Sequence, residues 1–138
     1  MSNPRKRARE VVKNALSIAL PDFTFRPAPY RSGSAATLPV YEVATPRTDI
    51  SRESVEDELQ DIRLEVVLRV AGGDAIFDDL DDLCQPLEAA ILAALVGEFE
   101  ESELTRIETA TAPDGAEPVG LLLLTFQTRA RVALGNPI

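Results

Sequence analysis

The fold is decided by residues 74–97, which read DAIFDDLDDLCQPLEAAILAALVG. Apolar residues recur here at steps of three and four, the period of one helix face. That face comprises Ile76, Leu80, Leu83, Cys84, Leu87, Ile91 and Leu95. The early acids suit a helix N-terminus, because the macrodipole stabilises negative charge there. The spacing predicts an amphipathic helix that ends at Gly97 and is kinked, or broken into two, at Pro86.

Strands are predicted on both sides of this helix. Residues 59–70 and 119–132 alternate between apolar and polar side chains, the period of a strand with one buried face. Shorter apolar stretches predict further strands at 23–25, 38–44 and 104–110, and residues 2–20 form an amphipathic first helix capped by Ser2 or Asn3. The order predicts one α+β domain over residues 1–138, with two helices packed on a mixed, mostly antiparallel sheet of four to five strands.

Three connections stand out between these elements. Residues 46–58, PRTDISRESVEDE, are polar and lack core periodicity, which predicts a long charged loop. Residues 26–39 are rich in Pro, Ser and Gly and predict another loop, while Pro-Asp-Gly at 113–115 predicts a hairpin turn. We also expect an acidic linker at 98–103 and a short C-terminal tail at 133–138.

Composition and charge bound the class of protein. The chain has 138 residues, of which 45% are apolar, and no apolar run long enough to span a membrane. Together with the lack of a secretory N-terminus, this leads us to expect a soluble chain made in the cytoplasm, without a membrane partner. The formal charge is −9, with 20 acids and only four arginines in residues 49–117. Such a surface repels phosphate, so we expect no sequence-specific binding of nucleic acid. An acidic body with a basic first helix could instead pair head to tail with a copy of itself, although a solvated acidic surface explains the charge as well.

The chain lacks the usual side chains of catalysis. It has no histidine, which is the commonest general base and the commonest zinc ligand, so a His-based triad is excluded. Cys84 is alone, and its place on the apolar face of the helix predicts a small core residue. Lys6 and Lys13, the two lysines, lie on the exposed side of the first helix, unlike a desolvated catalytic lysine. The run DDLDD at 78–82 lacks the spacing of a calcium loop. We therefore expect no enzyme activity, no metal and no cofactor.

An ordered set of segments resembles the tail terminator proteins of long-tailed phages and phage-like particles, of the lambda minor tail protein U type. The segments are a short N-terminal helix, Phe23-Thr-Phe25, a Pro-rich loop, the strand LPVYEV at 38–43, a polar stretch, the strand IRLEVVL at 62–68, a helix entered through DDLDD with an internal proline, and a closing apolar strand at 122–131. The likeness covers roughly residues 4–131 and is one of pattern. The basic first helix and the tail after Arg131 depart from the family.

The resemblance implies a structural virion protein at the head-proximal end of the tail, assembled in the host cytoplasm. Members form a hexameric ring that caps the tail tube, ends its polymerisation and offers the surface that joins the head-side connector or neck protein; DNA passes through such a ring. A head-to-tail ring needs two different complementary patches on each subunit. The candidate interface residues are Arg5, Arg9, Lys13, Arg47, Asp49, Arg52, Glu53, Glu56, Arg129 and Arg131.

Two alternatives remain open. One is another part of the neck or tail, namely a head-closure protein, a tail-completion protein or a tube subunit. The other is a small cytoplasmic enzyme or ligand-binding regulatory domain, which would be a monomer or dimer with a concave pocket.

Overall fold

A computed structural model describes residues 3–26, 38–114 and 117–134. Two helices and five strands follow in the order α1 (Pro4–Ala19), β1 (Thr24–Phe25), β2 (Val40–Arg52), β3 (Asp57–Ala71), α2 (Ile76–Val96), β4 (Glu101–Asp114) and β5 (Glu117–Ala133). The strands form one sheet in the order β1-β2-β3-β5-β4. The pair β1–β2 is parallel and the other pairs are antiparallel. The predicted single-domain α+β fold, with a mixed and mostly antiparallel sheet, is confirmed.

The centre of the sheet is the antiparallel pair β3–β5, whose pairing runs from Asp57↔Ala133 to Ala71↔Val119. Residues directly opposite each other point to the same face, so this register sorts the side chains of both strands. On one face Leu64 lies opposite Phe126 and Val66 opposite Leu124, and all four side chains are fully buried. This apolar face of the two strands agrees with the predicted alternation.

Both helices pack on this apolar face. Asn3 caps α1 by accepting a hydrogen bond from the Arg5 backbone N–H at 2.9 Å, and Pro4 occupies the first turn, where its missing N–H costs nothing. Each helix turns a stripe of buried residues towards the sheet. The stripes are Ala8, Val12 and Leu16 in α1, and Ile76, Leu80, Leu87, Ile91 and Leu95 in α2. Cys84 is half-buried and packs against this core.

One continuous helix, α2, contains Pro86, so the predicted possibility of a break into two helices is wrong. Gln85 and Pro86 are both exposed, and apolar burial resumes at Leu87 in the same stripe. Tertiary packing of the apolar face therefore keeps the proline inside the helix despite its lost hydrogen bond.

The predicted loop at 46–58 is wrong for most of its length. β2 continues to Arg52 and β3 begins at Asp57, with pairs running from Arg47↔Arg63 to Arg52↔Glu58. Only residues 53–56 form the turn, in which the Glu53 and Ser54 N–H groups both donate to the Asp57 carbonyl. The segment reads as a loop because β2 is a sheet edge here, where every residue of 46–52 except the half-buried Thr48 is exposed, and it needs no apolar alternation.

Other boundaries also differ from the prediction. β4 begins at Glu101 rather than residue 104, which shortens the acidic linker. β5 includes Ala133, and the Leu134 N–H donates to the Glu56 carbonyl, so the tail does not start at residue 133. Residues 135–138, most of the predicted loop at 26–39, and Gly115 of the predicted turn lie outside the described residues.

Substitution of Gly120 should destabilise the fold. A Cβ atom there would lie 2.3 Å from Cδ1 and 2.6 Å from Cγ1 of Ile76, which is itself buried at the start of α2. We expect Gly120→Ala to lower the free energy of unfolding by about 1–3 kcal/mol, since the helix or the side chain must shift. Chemical denaturation measures this. The control Gly73→Ala, where nothing lies within 4 Å, should leave stability nearly unchanged; equal stabilities of the two variants would contradict the packing.

Candidate interaction surfaces

A basic groove lies between α1 and the sheet edge at β2. Its volume is about 520 Å³, and its lining combines cationic side chains of α1 with an apolar floor from β1 and β2. The lining residues are Arg5, Lys6, Arg9, Glu10, Lys13, Phe25, Val43, Ala44, Thr45 and Pro46. We call this surface the basic groove.

Two arginines are held in the groove by one residue of β2. The Arg5 guanidinium donates to the Thr45 carbonyl, and the Arg9 guanidinium donates to the Thr45 hydroxyl. Thr45 is buried at a shift in register between Ala44 and Arg47. Arg5 and Arg9 are therefore half-buried, although neither belongs to the apolar stripe of the first helix. Their long stems lie along the sheet while their charged ends reach polar groups.

The cations of the groove lack acidic partners among the described residues. Lys13 is exposed, and its Nζ lies 4.4 Å from the centre of the Phe25 ring, a cation–π contact. In the described part of the chain, Arg5, Lys6 and Arg9 form no ion pair, whereas Arg7 on the neighbouring flank pairs with Glu98 at 3.6 Å. Among the described residues, the lining of the groove therefore combines four cationic side chains with one acid, Glu10.

The second group of predicted interface residues lies on the sheet face opposite the helices. Arg129 Nε donates to Asp61 at 2.8 Å and lies 3.6 Å from Glu101. Arg131 contacts Glu53 at 2.8 Å and Glu100 at 3.2 Å. The hydrogen bond to Asp61 and the nearby acids raise the pKa of Arg129, and those to Glu53 and Glu100 raise that of Arg131. Both arginines are thus engaged within the chain.

The remaining predicted residues follow the β2–β3 hairpin. Arg47 and Asp49 pair with each other at 3.1 Å, both largely exposed. Arg52 and Glu56 are exposed at the tip, where neither forms an ion pair with a described residue. The structure thus divides the ten predicted residues. Three line the basic groove, three (Glu53, Arg129 and Arg131) belong to the ion-pair networks opposite the helices, and the other four lie along the exposed hairpin.

An acidic helix surface was not among the predicted interface residues. α2 carries five acids and no base, and within the described residues none of the five forms an ion pair. They are Asp78, Asp79, Asp81, Asp82 and Glu88. The count of acids along the sequence could have indicated this surface. Thr45 and Phe25, which complete the basic groove, carry no such signal, because only the folded sheet brings them under α1.

Different strands occupy the two ends of the sheet. β1 pairs with β2 only at Val40 and Tyr41, so in the described chain the outer edge of β2 beyond these residues faces no strand. β4 forms the opposite edge, and its residues 105–111 are exposed. Ile50 of β2 and Ile107 of β4 are 62% and 48% exposed, which is unusual for isoleucine in a sheet. Such edges can accept a further strand.

The described residues bear on metal binding and on membrane crossing. No group of three or more His, Cys, Asp or Glu side chains there is arranged to hold a metal ion. None of the described helices has the length and apolarity to cross a bilayer. Burial raises the pKa of the Tyr41 phenol, which packs against Phe25 at 5.5 Å between ring centroids in the core.

Comparison with known proteins adds no family assignment: no family model matches the chain, and no curated protein matches it either.

The thiol of Cys84 should react slowly. Burial, then the charges of Asp81 and Glu88, raise its pKa, and only the thiolate is alkylated. At pH 8 we expect slower alkylation by iodoacetamide than in the urea-unfolded chain, with the rate–pH profile displaced to higher pH. Asp81→Asn with Glu88→Gln should move the profile back to lower pH. The control is Asp82→Asn, which removes an acid that does not act on Cys84; a profile unmoved by the double substitution would contradict this assignment.

Proposed function

We propose that this protein is a structural subunit of the tail terminator type, which forms a closed ring on the end of a tail tube, stops its growth and presents the surface for the head-side connector. On this proposal it works by assembly rather than by catalysis. The observation that carries it is that the two ends of the sheet are unlike: among the described residues, β2 faces no strand beyond its two-residue pairing with β1, and β4 faces none at the other end.

Unlike edges favour a ring over a symmetric dimer. A two-fold dimer joins one surface to its own copy, whereas a ring joins two different surfaces head to tail and closes if the rotation permits. The β2 end carries the basic groove, and the β4 end lies beside acidic α2. These ends are complementary in charge, which favours joining the β2 end of one subunit to the β4 end of the next.

The same edges suit the ending of a polymer. Exposed strands such as residues 105–111 of β4 would be an aggregation hazard on a free monomer. Closure of a ring covers every such edge, and a closed ring offers no lateral site for more subunits. Any closed ring has this property, whether it ends a tube or stacks within one, and the electron microscopy below separates the two. The helix-free sheet face, with its internally paired arginines, stays available to line the ring or meet the tube.

The mass of the assembly tests this proposal. Six copies of the 15.0 kDa chain weigh about 90 kDa. We expect light scattering after size exclusion to find a species near this mass, either for the chain alone at high concentration or after addition of assembled tail tubes. Electron microscopy should then show a single ring at one tube end. A chain that remains monomeric with tubes present would overturn the proposal.

The same experiment separates the alternatives. Rings that stack repeatedly along the tube would identify a tube subunit, and a ring that binds isolated connectors but not tubes would identify a head-closure protein. A monomer whose melting temperature rises with a small anionic metabolite would favour a ligand-binding domain, because a ligand that binds only the folded state stabilises it.

A further inference from the structure

We propose that the basic groove is filled by α2 of a second copy of this chain, with Lys6 and Lys13 of one subunit facing Glu88 and Asp81 of the next. The inference rests on the proposed head-to-tail assembly and names the surfaces that join.

The cations of α1 lie on the flank that faces away from α2. The basic groove includes Lys6, Arg9 and Lys13 together with β1 and β2. A separate groove between the helices is lined on the α1 side by Val11, Asn14, Ala15, Ile18 and Ala19. The intramolecular helix contact and the basic flank are therefore different surfaces of α1, and the basic flank lies at the β2 end of the sheet.

The acids of α2 extend to the flank that faces away from α1. Ala90 and Ala94 of α2 line the groove shared with α1. Asp81 precedes Ala90 by nine residues, about two and a half helical turns, and therefore points to the opposite side of the helix. Glu88 follows Asp81 by seven residues, close to two turns, and shares its side. This acidic flank lies towards the β4 end of the molecule.

The two flanks match in spacing. Lys6 and Lys13 are separated by seven residues on α1, as Asp81 and Glu88 are on α2, which is about 10.5 Å along either helix axis. An antiparallel pair of helices would align Lys13 with Asp81 and Lys6 with Glu88. Within one subunit α1 and α2 already run antiparallel, since Arg7 near the start of α1 pairs with Glu98 just after α2. Head-to-tail repetition continues that alternation of helix directions.

Charge favours a second copy over nucleic acid as the occupant. The chain has a net charge of −9, so phosphate approaching the groove also meets the acids of α2 and of the hairpin. The acidic flank of another copy brings carboxylates to the groove and, in the same contact, finds partners for its own charges. Each molecule has one groove and one acidic flank, so the contact repeats from subunit to subunit.

Paired charge reversals test the contact. We expect Lys6→Glu with Lys13→Glu, and separately Asp81→Lys with Glu88→Lys, each to weaken self-association at least about tenfold in sedimentation velocity, because attraction becomes repulsion. An equimolar mixture of the two variants should recover assembly, since the reversed surfaces are again complementary. The matched control is Asp82→Lys, one residue from Asp81 and exposed, which should leave the wild-type association unchanged. Circular dichroism verifies folding, and Lys6→Glu alone provides a variant at an exposed position that forms no ion pair with a described residue.

Crosslinking tests the register independently of charge. The proposed alignment places residue 10 opposite Cys84, the single cysteine of the chain. Glu10→Cys should therefore give a ladder of covalent oligomers with a short thiol-to-thiol crosslinker at dilute protein, in a reaction run at raised pH because the half-buried Cys84 thiol reacts slowly. Asn14→Cys, on the flank that lines the groove between the helices, is the control and should give few oligomers.

The outcomes separate the contact from the function. A mixture that fails to assemble although both variants are folded, or equal crosslinking by the two cysteine variants, would overturn the contact. So would a 20-base-pair DNA duplex that binds the groove and loses binding in the Lys6 and Lys13 reversals while self-association persists. If 90 kDa rings form on tubes without the contact, the proposed function stands alone; if mixing and crosslinking succeed but no ring caps a tube, only the contact stands.

Discussion

The antiparallel ladder between β3 and β5 is the constraint on which the rest of the structure depends. Its register is continuous from Asp57↔Ala133 to Ala71↔Val119. A slip of one residue would move every buried side chain of one strand to the opposite face, so the apolar sets of the two strands fix each other. The pairs around Leu64 and Phe126 form the floor on which both helices lie. The alternate positions, such as Asp61 and Arg129, are thereby sent to the other face.

The outer strands β2 and β4 pair with this ladder, but their pairing is less regular. β2 and β4 each contain one shift in register, between Ala44 and Arg47 and between Leu104 and Arg106. Bulges of this kind re-aim side chains and loosen pairing at sheet edges. At β2 the irregularity coincides with the burial of Thr45 under α1. The carbonyl and the hydroxyl of Thr45 accept hydrogen bonds from Arg5 and Arg9 there. The basic groove is thus a local consequence of an edge irregularity in an otherwise regular sheet.

The core was predictable from the sequence because buried faces of helices and strands give a periodic spacing of apolar residues. The face shared by Ile62, Leu64, Val66 and Leu68, and the apolar stripe of α2, follow from the spacing of large side chains alone. The prediction of a loop at residues 46–52 was wrong because a largely exposed edge strand has no apolar period. Thr48 and Ile50 do alternate with charged residues there. The predicted break at Pro86 was wrong because the packing of one helix face outweighed the low helix propensity of proline.

The candidate surfaces were only partly predictable. The basic first helix is plain in the sequence, but whether an arginine points to solvent or lies across a neighbouring strand depends on contacts far along the chain. Arg9 reaches Thr45 across 36 residues, and Arg131 reaches Glu53 across 78. Periodicity within one segment carries no information on such contacts. The separation of a basic groove and an acidic flank on opposite sides of the helix pair therefore emerges only when the two helices are placed on the sheet.

The distribution of ion pairs then distinguishes surfaces that are electrostatically complete from those that are not. On the helix-free face, Arg129 and Arg131 each already contact two acids, so a partner that bound them would first have to replace good internal contacts. On the helix side, the cations of the basic groove and the acids of α2 form no such pairs among the described residues.

Water stabilises exposed charges almost as well as an ion pair does, so unpaired charges alone imply nothing. Opposite charges segregated on outward flanks of two adjacent helices, at matching intervals, are different, because the proposed head-to-tail repetition of the molecule would bring them together. Electrostatic complementarity of this kind fixes the register of an interface more than its strength. In the proposed assembly, the strength would come from burial, for which the exposed Ile50 and Ile107 at the two sheet edges offer apolar surface.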